Sequence, residues 1–269
     1  MQIWQIPQSI QISDVLLRNY CTKHIDQPNL LMQYIRALIY LFGQVASAII
    51  IFLAALIGAG ISSNLKDRII LQWARFNIWT LAIIYGITFH VQGKENIPSE
   101  PSIIISNHQS AWETLAFQLI FPTQSFLLKR SLLKIPFLGW GLAMTRPVAI
   151  DREHKVRALD SLIKQGAERL KEGRWLVVFP EGTRHSPGQP GKFQIGGAMI
   201  AAKTGAPVVP VAHNAGVFWP KNSLLKHSGK IDLIIGPPIH AEGKKTRKLS
   251  SEIEATIIDN LSQLPTARD

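Results

Sequence analysis

From Ala37 to Ile61 the chain carries no charged residue, and this stretch limits the possible folds more than any other. As an α-helix its roughly 25 residues would span about 37 Å, enough to cross a hydrocarbon layer of about 30 Å with some tilt. It lies too far from Met1, and runs too long, for a cleaved leader. The sequence therefore predicts a membrane helix, and chemistry carried out at a bilayer. Charge agrees with this. There are 29 Lys and Arg against 18 Asp and Glu, and the formal net charge of +11 points to an anionic partner. With a mean hydropathy of +0.12 and no nucleic-acid reader motif, anionic membrane lipids are the expected partner and nucleic acid is not.

Three regions follow from this. Residues 1–36 are weakly patterned, with Pro7 and Pro28 breaking any long helix, and no role is assigned to them. Residues 37–86 hold the membrane helix and a second segment, Lys66 to Tyr85, where Gln72, Arg75, Asn77 and Thr80 interrupt the apolar residues. Trp73, Trp79 and Tyr85 suit a headgroup layer, so this segment reads either as an interfacial helix or as a second span, stopped by Gly86. Residues 87–269 change period. Ile87, Phe89 and Val91 alternate with polar neighbours, and apolar strands recur near 102–106, 125–129, 147–150, 175–179, 207–212 and 231–236. Helical patterns lie between most of them, as at Lys155–Lys171 and Gly196–Thr204, and a final one follows at Ser251–Leu264 with a Ser251-x-x-Glu254 start. The expected fold is α/β, a largely parallel sheet flanked by helices and preceded by an N-terminal membrane helix pair. Lys66, Arg68, Arg75 and Lys94 outweigh Arg18, Lys23 and Arg36, which places the domain on the cytoplasmic side, as at a bacterial inner membrane. The single Cys21 excludes an intramolecular disulfide and a cysteine-cluster metal site.

Chemistry concentrates at two strand ends. Ile103 to Ile105 form a short run suited to a sheet buried on both faces, and Ser106-Asn-His-Gln-Ser-Ala-Trp-Glu-Thr114 follows it. With Ser110 as N-cap and Glu113 at the third helical position, His108 falls in the strand-to-helix turn, where open α/β sheets place their sites. Two helical residues five apart would be separated by about 140° around the axis. A histidine in the turn can instead fold back onto Glu113 and act as a general base. The other reading of Ser110-x-x-Glu113 is an ordinary capping box. The second strand end is Phe179-Pro-Glu-Gly-Thr-Arg184, where Glu181, Gly182, Thr183 and Arg184 open a loop. Backbone donors near a glycine and a forked guanidinium suit a phosphate; a plain turn is the alternative.

Other polar clusters carry less. Lys129 and Arg130 close a third strand, either as a phosphate clamp beside Arg184 or as a solvated basic pair. Asp151-Arg152 reads as a local ion pair, and His213-Asn214 as a second base or as a hydrogen-bonded structural histidine. Gly188 to Phe193 lacks the spacing of a nucleotide phosphate loop. No Gly-x-Ser-x-Gly elbow and no His-Glu-x-x-His zinc motif is present, and no metal site is expected.

Taken together, the motifs resemble those of the glycerolipid acyltransferases, in particular the 1-acyl-sn-glycerol-3-phosphate (lysophosphatidic acid) acyltransferase family. Asn107 to Glu113 is similar to the family's His-x-x-x-x-Asp block, with Glu113 one methylene longer than the usual Asp. Lys129-Arg130 through Leu133, Pro136, Phe137 and Gly139 to Asp151-Arg152 resembles the second block. Phe179 to Arg184 matches the third in full, and Val208 to Ala212 resembles the fourth. The resemblance covers Val91 to Leu264. It implies acyl transfer from acyl-CoA or acyl carrier protein to lysophosphatidic acid, with His108 as base and Glu113 orienting it. It also implies substrate binding by Glu181, Gly182, Thr183, Arg184, Lys129 and Arg130, and no cofactor beyond the thioester.

Overall fold

Ser62 alone separates the two long helices that open the fold. The computed structural model describes residues 29–135, 138–151 and 155–268; Cys21, Pro136, Phe137 and Arg152 lie outside them. Helix α1 (Leu30–Ile61) starts well before the uncharged run, because the Asn29 side chain accepts from the Leu31 N–H and supplies the cap directly after Pro28. It is the one helix among the described residues long and apolar enough to cross a membrane. Its outward face leaves Leu38, Phe42, Ile49, Leu53 and Ile57 exposed.

Helix α2 (Ser63–Tyr85) is begun by the Ser62 hydroxyl, which accepts from the Leu65 N–H, and is ended by Gly86 at φ 65°. Lys66 Nζ donates to the Met144 carbonyl at 2.6 Å, and Asp67 pairs with the buried Arg174 at 2.6 Å. The far end runs through Gly86 into the first strand. With both ends fixed to the α/β domain, α2 lies along that domain. The expected pair of membrane helices therefore reduces to one candidate, α1, with α2 beside it. Trp73 is turned toward α1, its Nε1 donating to the Ser47 hydroxyl, whereas Trp79 is exposed.

The remaining elements are β1 (Ile87–Gln92), β2 (Ile103–Ser106), α3 (Trp112–Ile120), β3 (Gln124–Lys129), α4 (Leu138–Met144), β4 (Val148–Ile150), α5 (Lys155–Lys171), β5 (Trp175–Val178), α6 (Gly196–Thr204), β6 (Val208–His213), α7 (Ala215–Phe218), β7 (Gly229–Ile235) and α8 (Thr246–Ser262). They form one seven-stranded sheet of order β1-β7-β6-β2-β5-β3-β4. Every pairing is parallel except β6 with β7, so β1 and β7 run against the rest. The sheet is thus largely parallel, as the alternation of apolar runs and helices requires. Helix α8 begins at Thr246 rather than Ser251, so Ser251 and Glu254 are interior helical positions and not a capping pair.

The buried strands alternate between two cores. Ile103, Ile105, Leu176 and Val178 face α5, α6 and α8, meeting Leu162, Ile200, Leu249, Ile253 and Ile257. Ile104, Val177 and Val209 face α3 and the α1–α2 hairpin, meeting Leu115, Phe117, Leu81 and Tyr85. Each fully buried aliphatic side chain contributes about 1.5–3 kcal/mol, which fixes the sheet firmly in the middle. The hairpin is held down at two points. Arg174 clamps its turn end through Asp67 while also bonding the Ser125 hydroxyl and the Gln124 and Thr145 carbonyls. At the other end the Lys226 ammonium sits 4.5, 5.1 and 4.5 Å from the ring centroids of Tyr40, Tyr85 and Trp219. Burial pushes this lysine down to about 8.

Candidate active site

Three neighbouring parallel strands, β6, β2 and β5, end at the same edge of the sheet, and their last residues build the site. In register, Ser106 of β2 lies beside Val211 of β6. One residue further on, the side chain of Asn107 replaces the backbone ladder. Its Nδ2 donates to the His213 carbonyl at 2.9 Å and its Oδ1 accepts from the His213 N–H at 3.0 Å. The main chain is thereby released to turn out of the sheet, and the His108 N–H donates across to Glu181 Oε1, beyond the end of β5, at 2.8 Å.

His108 then folds back over the first turn of α3, and its Nδ1 lies 2.6 Å from Glu113 Oε1. The extra methylene of Glu113 does not prevent the contact. The same carboxylate accepts from the Gln109 and Ser110 N–H groups at 3.0 to 3.1 Å. Capping and ring orientation, set out above as rival readings, are one arrangement here. The cap itself differs from expectation: the helix begins at Trp112, Ala111 holds the N-cap position, and Ser110 Oγ accepts from the Trp112 N–H from one place further out.

The electrostatics decide the tautomer. Burial would raise the Glu113 carboxyl, but the His213 and His108 rings and the Ser110 N–H outweigh it and hold the group below the usual carboxylate range. An ionised Glu113 accepts only, so the network assigns the proton to His108 Nδ1 and leaves Nε2 with its lone pair. Among the described residues Nε2 makes no hydrogen bond, and the ring stacks on Phe179 with centroids 4.2 Å apart at 13°. His108 is 16% exposed, whereas Glu113 is fully buried. The imidazole is thus left with one uncommitted nitrogen.

His108 lines an apolar cavity of about 560 Å³ between the hairpin and the sheet. Ala48, Phe52 and Trp73 roof it, while Leu115, Phe126 and Leu142 line the opposite side; His108, Lys129, Gly182 and Arg184 share the lining. The volume is that of a substrate cleft. The Nε of Arg184 is buried without a hydrogen-bond partner among the described residues, as suits a group awaiting an anion.

The structure thus brings His108, Glu113, Lys129, Gly182 and Arg184 together. It does not bring the other expected contacts to the cavity. Arg130 begins an exposed helical turn, and Thr183 is exposed outside the lining. Glu181 departs most from expectation, since its side chain is 1% exposed and its oxygens accept from the His108 and Gly191 N–H groups. Its carboxylate is occupied by these backbone groups, next to the turn in which Gly182 takes a φ of 69°. His213 is the hydrogen-bonded structural histidine. Its Nε2–H donates to the Asn107 carbonyl and its Nδ1 accepts from the Ala215 N–H. Two contributors escaped sequence reasoning, Asn107 and Phe179. Both stand inside the motifs, but their partners are visible only once the strand order is known. Among the described residues no group of three or more His, Cys, Asp or Glu could hold a metal.

Comparison with known proteins agrees with this architecture. Residues 88–214 match the family described as Acyltransferase. The 1-acyl-sn-glycerol-3-phosphate acyltransferase of Pseudomonas aeruginosa is 46% identical over 203 residues, covering 74% of this chain and 79% of that protein. A chloroplastic 1-acyl-sn-glycerol-3-phosphate acyltransferase of Arabidopsis thaliana is 34% identical over 190 residues, covering 68% of this chain and 52% of that protein. The crystal structure of the 1-acyl-sn-glycerophosphate (LPA) acyltransferase PlsC from Thermotoga maritima matches with a TM-score of 0.73 at 25% identity, over 89% of this chain and 98% of that one.

Proposed function

The chain belongs to the 1-acyl-sn-glycerol-3-phosphate acyltransferase family, and we propose that it moves an acyl chain from a thioester to the sn-2 hydroxyl of lysophosphatidic acid, forming phosphatidic acid. The observation that carries the reading is the 2.6 Å His108–Glu113 contact beside an apolar cavity that also presents Lys129 and Arg184. His108 Nε2 takes the hydroxyl proton as the acceptor oxygen attacks the thioester carbonyl. The tetrahedral intermediate then collapses, the carbon–sulfur bond breaks, and the imidazolium returns the proton to the departing thiolate. Glu113 stabilises that imidazolium. Direct transfer of this kind requires no protein nucleophile and no cofactor besides the thioester, which is acyl-CoA or acyl carrier protein. Arg184 and Lys129 hold the acceptor phosphate, and the cavity takes the acyl chain. The exposed apolar face of α1 attaches the enzyme to the membrane on its cytoplasmic side, and the basic surface holds it against anionic lipid.

The test is product identification. Protein purified in detergent is incubated with lysophosphatidic acid, other lysophospholipids and an amino-acid-containing lysolipid, each with acyl-CoA and with acyl carrier protein thioester. Mass spectrometry should show phosphatidic acid as the dominant product. Acylation of another lysolipid in preference to lysophosphatidic acid would overturn the acceptor assignment.

A further inference from the structure

His108 is fixed through its backbone from both neighbouring strands, and neither fixing group lines the cavity that His108 lines. On the β6 side Asn107 pairs both polar atoms of its amide with the backbone of His213. On the β5 side Glu181 holds the His108 N–H and ties it to Gly191. Asn107 and Glu181 are buried at 1% and 8% exposure. Neither lines the cavity that His108 faces; both line a separate one of about 210 Å³ behind the turn, together with Gln109 and His213. The turn therefore has two faces, one presenting the imidazole and the other holding the peptide units around it.

We infer that Asn107 and Glu181 are positioning residues of the acyl transfer, setting the direction of His108 Nε2 from behind without touching the acceptor. The inference rests on the reading of His108 as the base. Its physical content is that the His108–Glu113 contact fixes the ring only as well as the backbone beneath it is fixed. Without Asn107 the strand pairing no longer breaks at one place, and His213 is left with a buried N–H and C=O unpaired. Without Glu181 the His108 peptide loses its anchor to the β5 loop. Either loss lets the ring shift relative to the cavity while the substrate groups Arg184 and Lys129 stay where they are. A displacement of about 1 Å is enough to cost on the order of 10²-fold in rate.

The experiment is a double-mutant cycle on the full chain in detergent, with lysophosphatidic acid and acyl-CoA as substrates. Asn107→Ala and Glu181→Ala should each lower kcat by about 10- to 100-fold, with both KM values nearly unchanged. Glu181→Gln should recover part of the loss, because an amide oxygen still accepts from the His108 N–H; a role exerted through charge would leave Gln as poor as Ala and overturn the assignment. In a His108→Ala background the Asn107 and Glu181 substitutions should change turnover little further, since they act through the ring that is gone. A raised acceptor KM with kcat retained would make either residue an acceptor contact, and equal losses in both backgrounds would make it merely structural; each result sinks the proposal. Full activity of His108→Ala by itself would remove the reading beneath it and is separately recognisable. Where the double variants are too slow to measure, the downfield Nδ1–H proton resonance of His108, identified by its absence from His108→Ala, gives a second readout. That signal should weaken in Asn107→Ala at temperatures where the variant is still folded, and in Glu181→Gln if the alanine variant fails to fold. An unaltered signal in the folded variant overturns the inference.

Discussion

His108 and His213 end neighbouring parallel strands and share the field of one carboxylate, Glu113, yet only one of them is equipped to react. His213 is 0% exposed and both its ring nitrogens are committed, one to the Asn107 carbonyl and the other to the Ala215 N–H. His108 stands one strand over, has left the sheet, and commits only Nδ1. Burial pushes His213 below the ordinary imidazole range, against the raising influence of Glu113. Proximity to a carboxylate therefore does not identify a base. In the proposed mechanism the base is the histidine with an uncommitted nitrogen beside the cavity, and the hydrogen bonds around each ring determine which one that is.

The largest effect expected from this contrast is on turnover. His108→Ala should lower it by about 10² to 10⁴-fold while the melting temperature stays near that of the parent. His213→Ala should instead unfold at lower temperature, because it leaves a buried carbonyl and N–H without partners at a cost of about 1–3 kcal/mol each. Paired activity and melting measurements separate the two; a His108 variant that melts early but turns over normally would erase the distinction.

Glu113 sharpens the contrast, since it serves the fold and the base through the same oxygens. Glu113→Gln keeps an acceptor for the Ser110 N–H but loses the charge, so turnover should fall by about 10²-fold or more. The stability loss should be smaller in proportion, at most about 1 kcal/mol. Glu113→Asp retains the charge with a shorter reach and should keep more activity than Gln. If Gln at this position is as active as Glu, the carboxylate is a cap alone.

The elements on which this comparison stands were unequally visible in the sequence. The runs Ile103–Ile105, Leu176–Val178 and Val208–Ala212 announce buried parallel strands, and Asn107-His108 followed by Glu113 announces a turn that ends in a helix. Those signals are local. The contacts that differentiate the two histidines are not: Asn107 and His213 lie 106 residues apart, and His108 and Glu181 lie 73 apart. They meet only because β2 lies between β6 and β5 in the sheet. Glu181 was open to misassignment for the same reason. A carboxylate in a motif looks like a ligand until its backbone partners are known. At the N-terminus, composition marked α1 correctly as the apolar helix. It could not place α2, whose position is fixed by Asp67 reaching the distant Arg174.

A smaller effect tests the acceptor side of the cavity, where only His108 and not His213 has access. Arg184→Ala should raise the apparent constant for lysophosphatidic acid and leave that for the thioester nearly unchanged, because in the proposed mechanism it is the acceptor's phosphate that meets the unpartnered guanidinium nitrogen. A selective rise in the donor constant would reverse the assignment.

The smallest expected effect concerns how stability depends on pH, and it isolates His213. Its pKa is lowered in the folded protein, first by burial, against the raising influence of Glu113. The unfolded chain protonates a histidine near 6.5, at about its ordinary value. At pH values above that, folded and unfolded states both keep His213 neutral, and its contribution to stability is fully present. As the pH falls below about 6.5 the unfolded state binds a proton that the folded state refuses, so stability declines with a slope of at most about 1.4 kcal/mol per pH unit for one such group. Glu113 has its own lowered pKa, and its contribution is lost only in a more acidic window, as the pH falls through the folded value below the usual carboxylate range. His213→Gln keeps an amide that can donate to the Asn107 carbonyl but cannot titrate. Melting temperatures of the two proteins should therefore run parallel above about pH 7 and converge as the pH falls toward 5, because only the parent carries the penalty of a buried imidazole that resists protonation. Parallel curves throughout would mean that His213 accepts its proton as readily folded as unfolded, and the contrast between the two histidines would then rest on geometry alone.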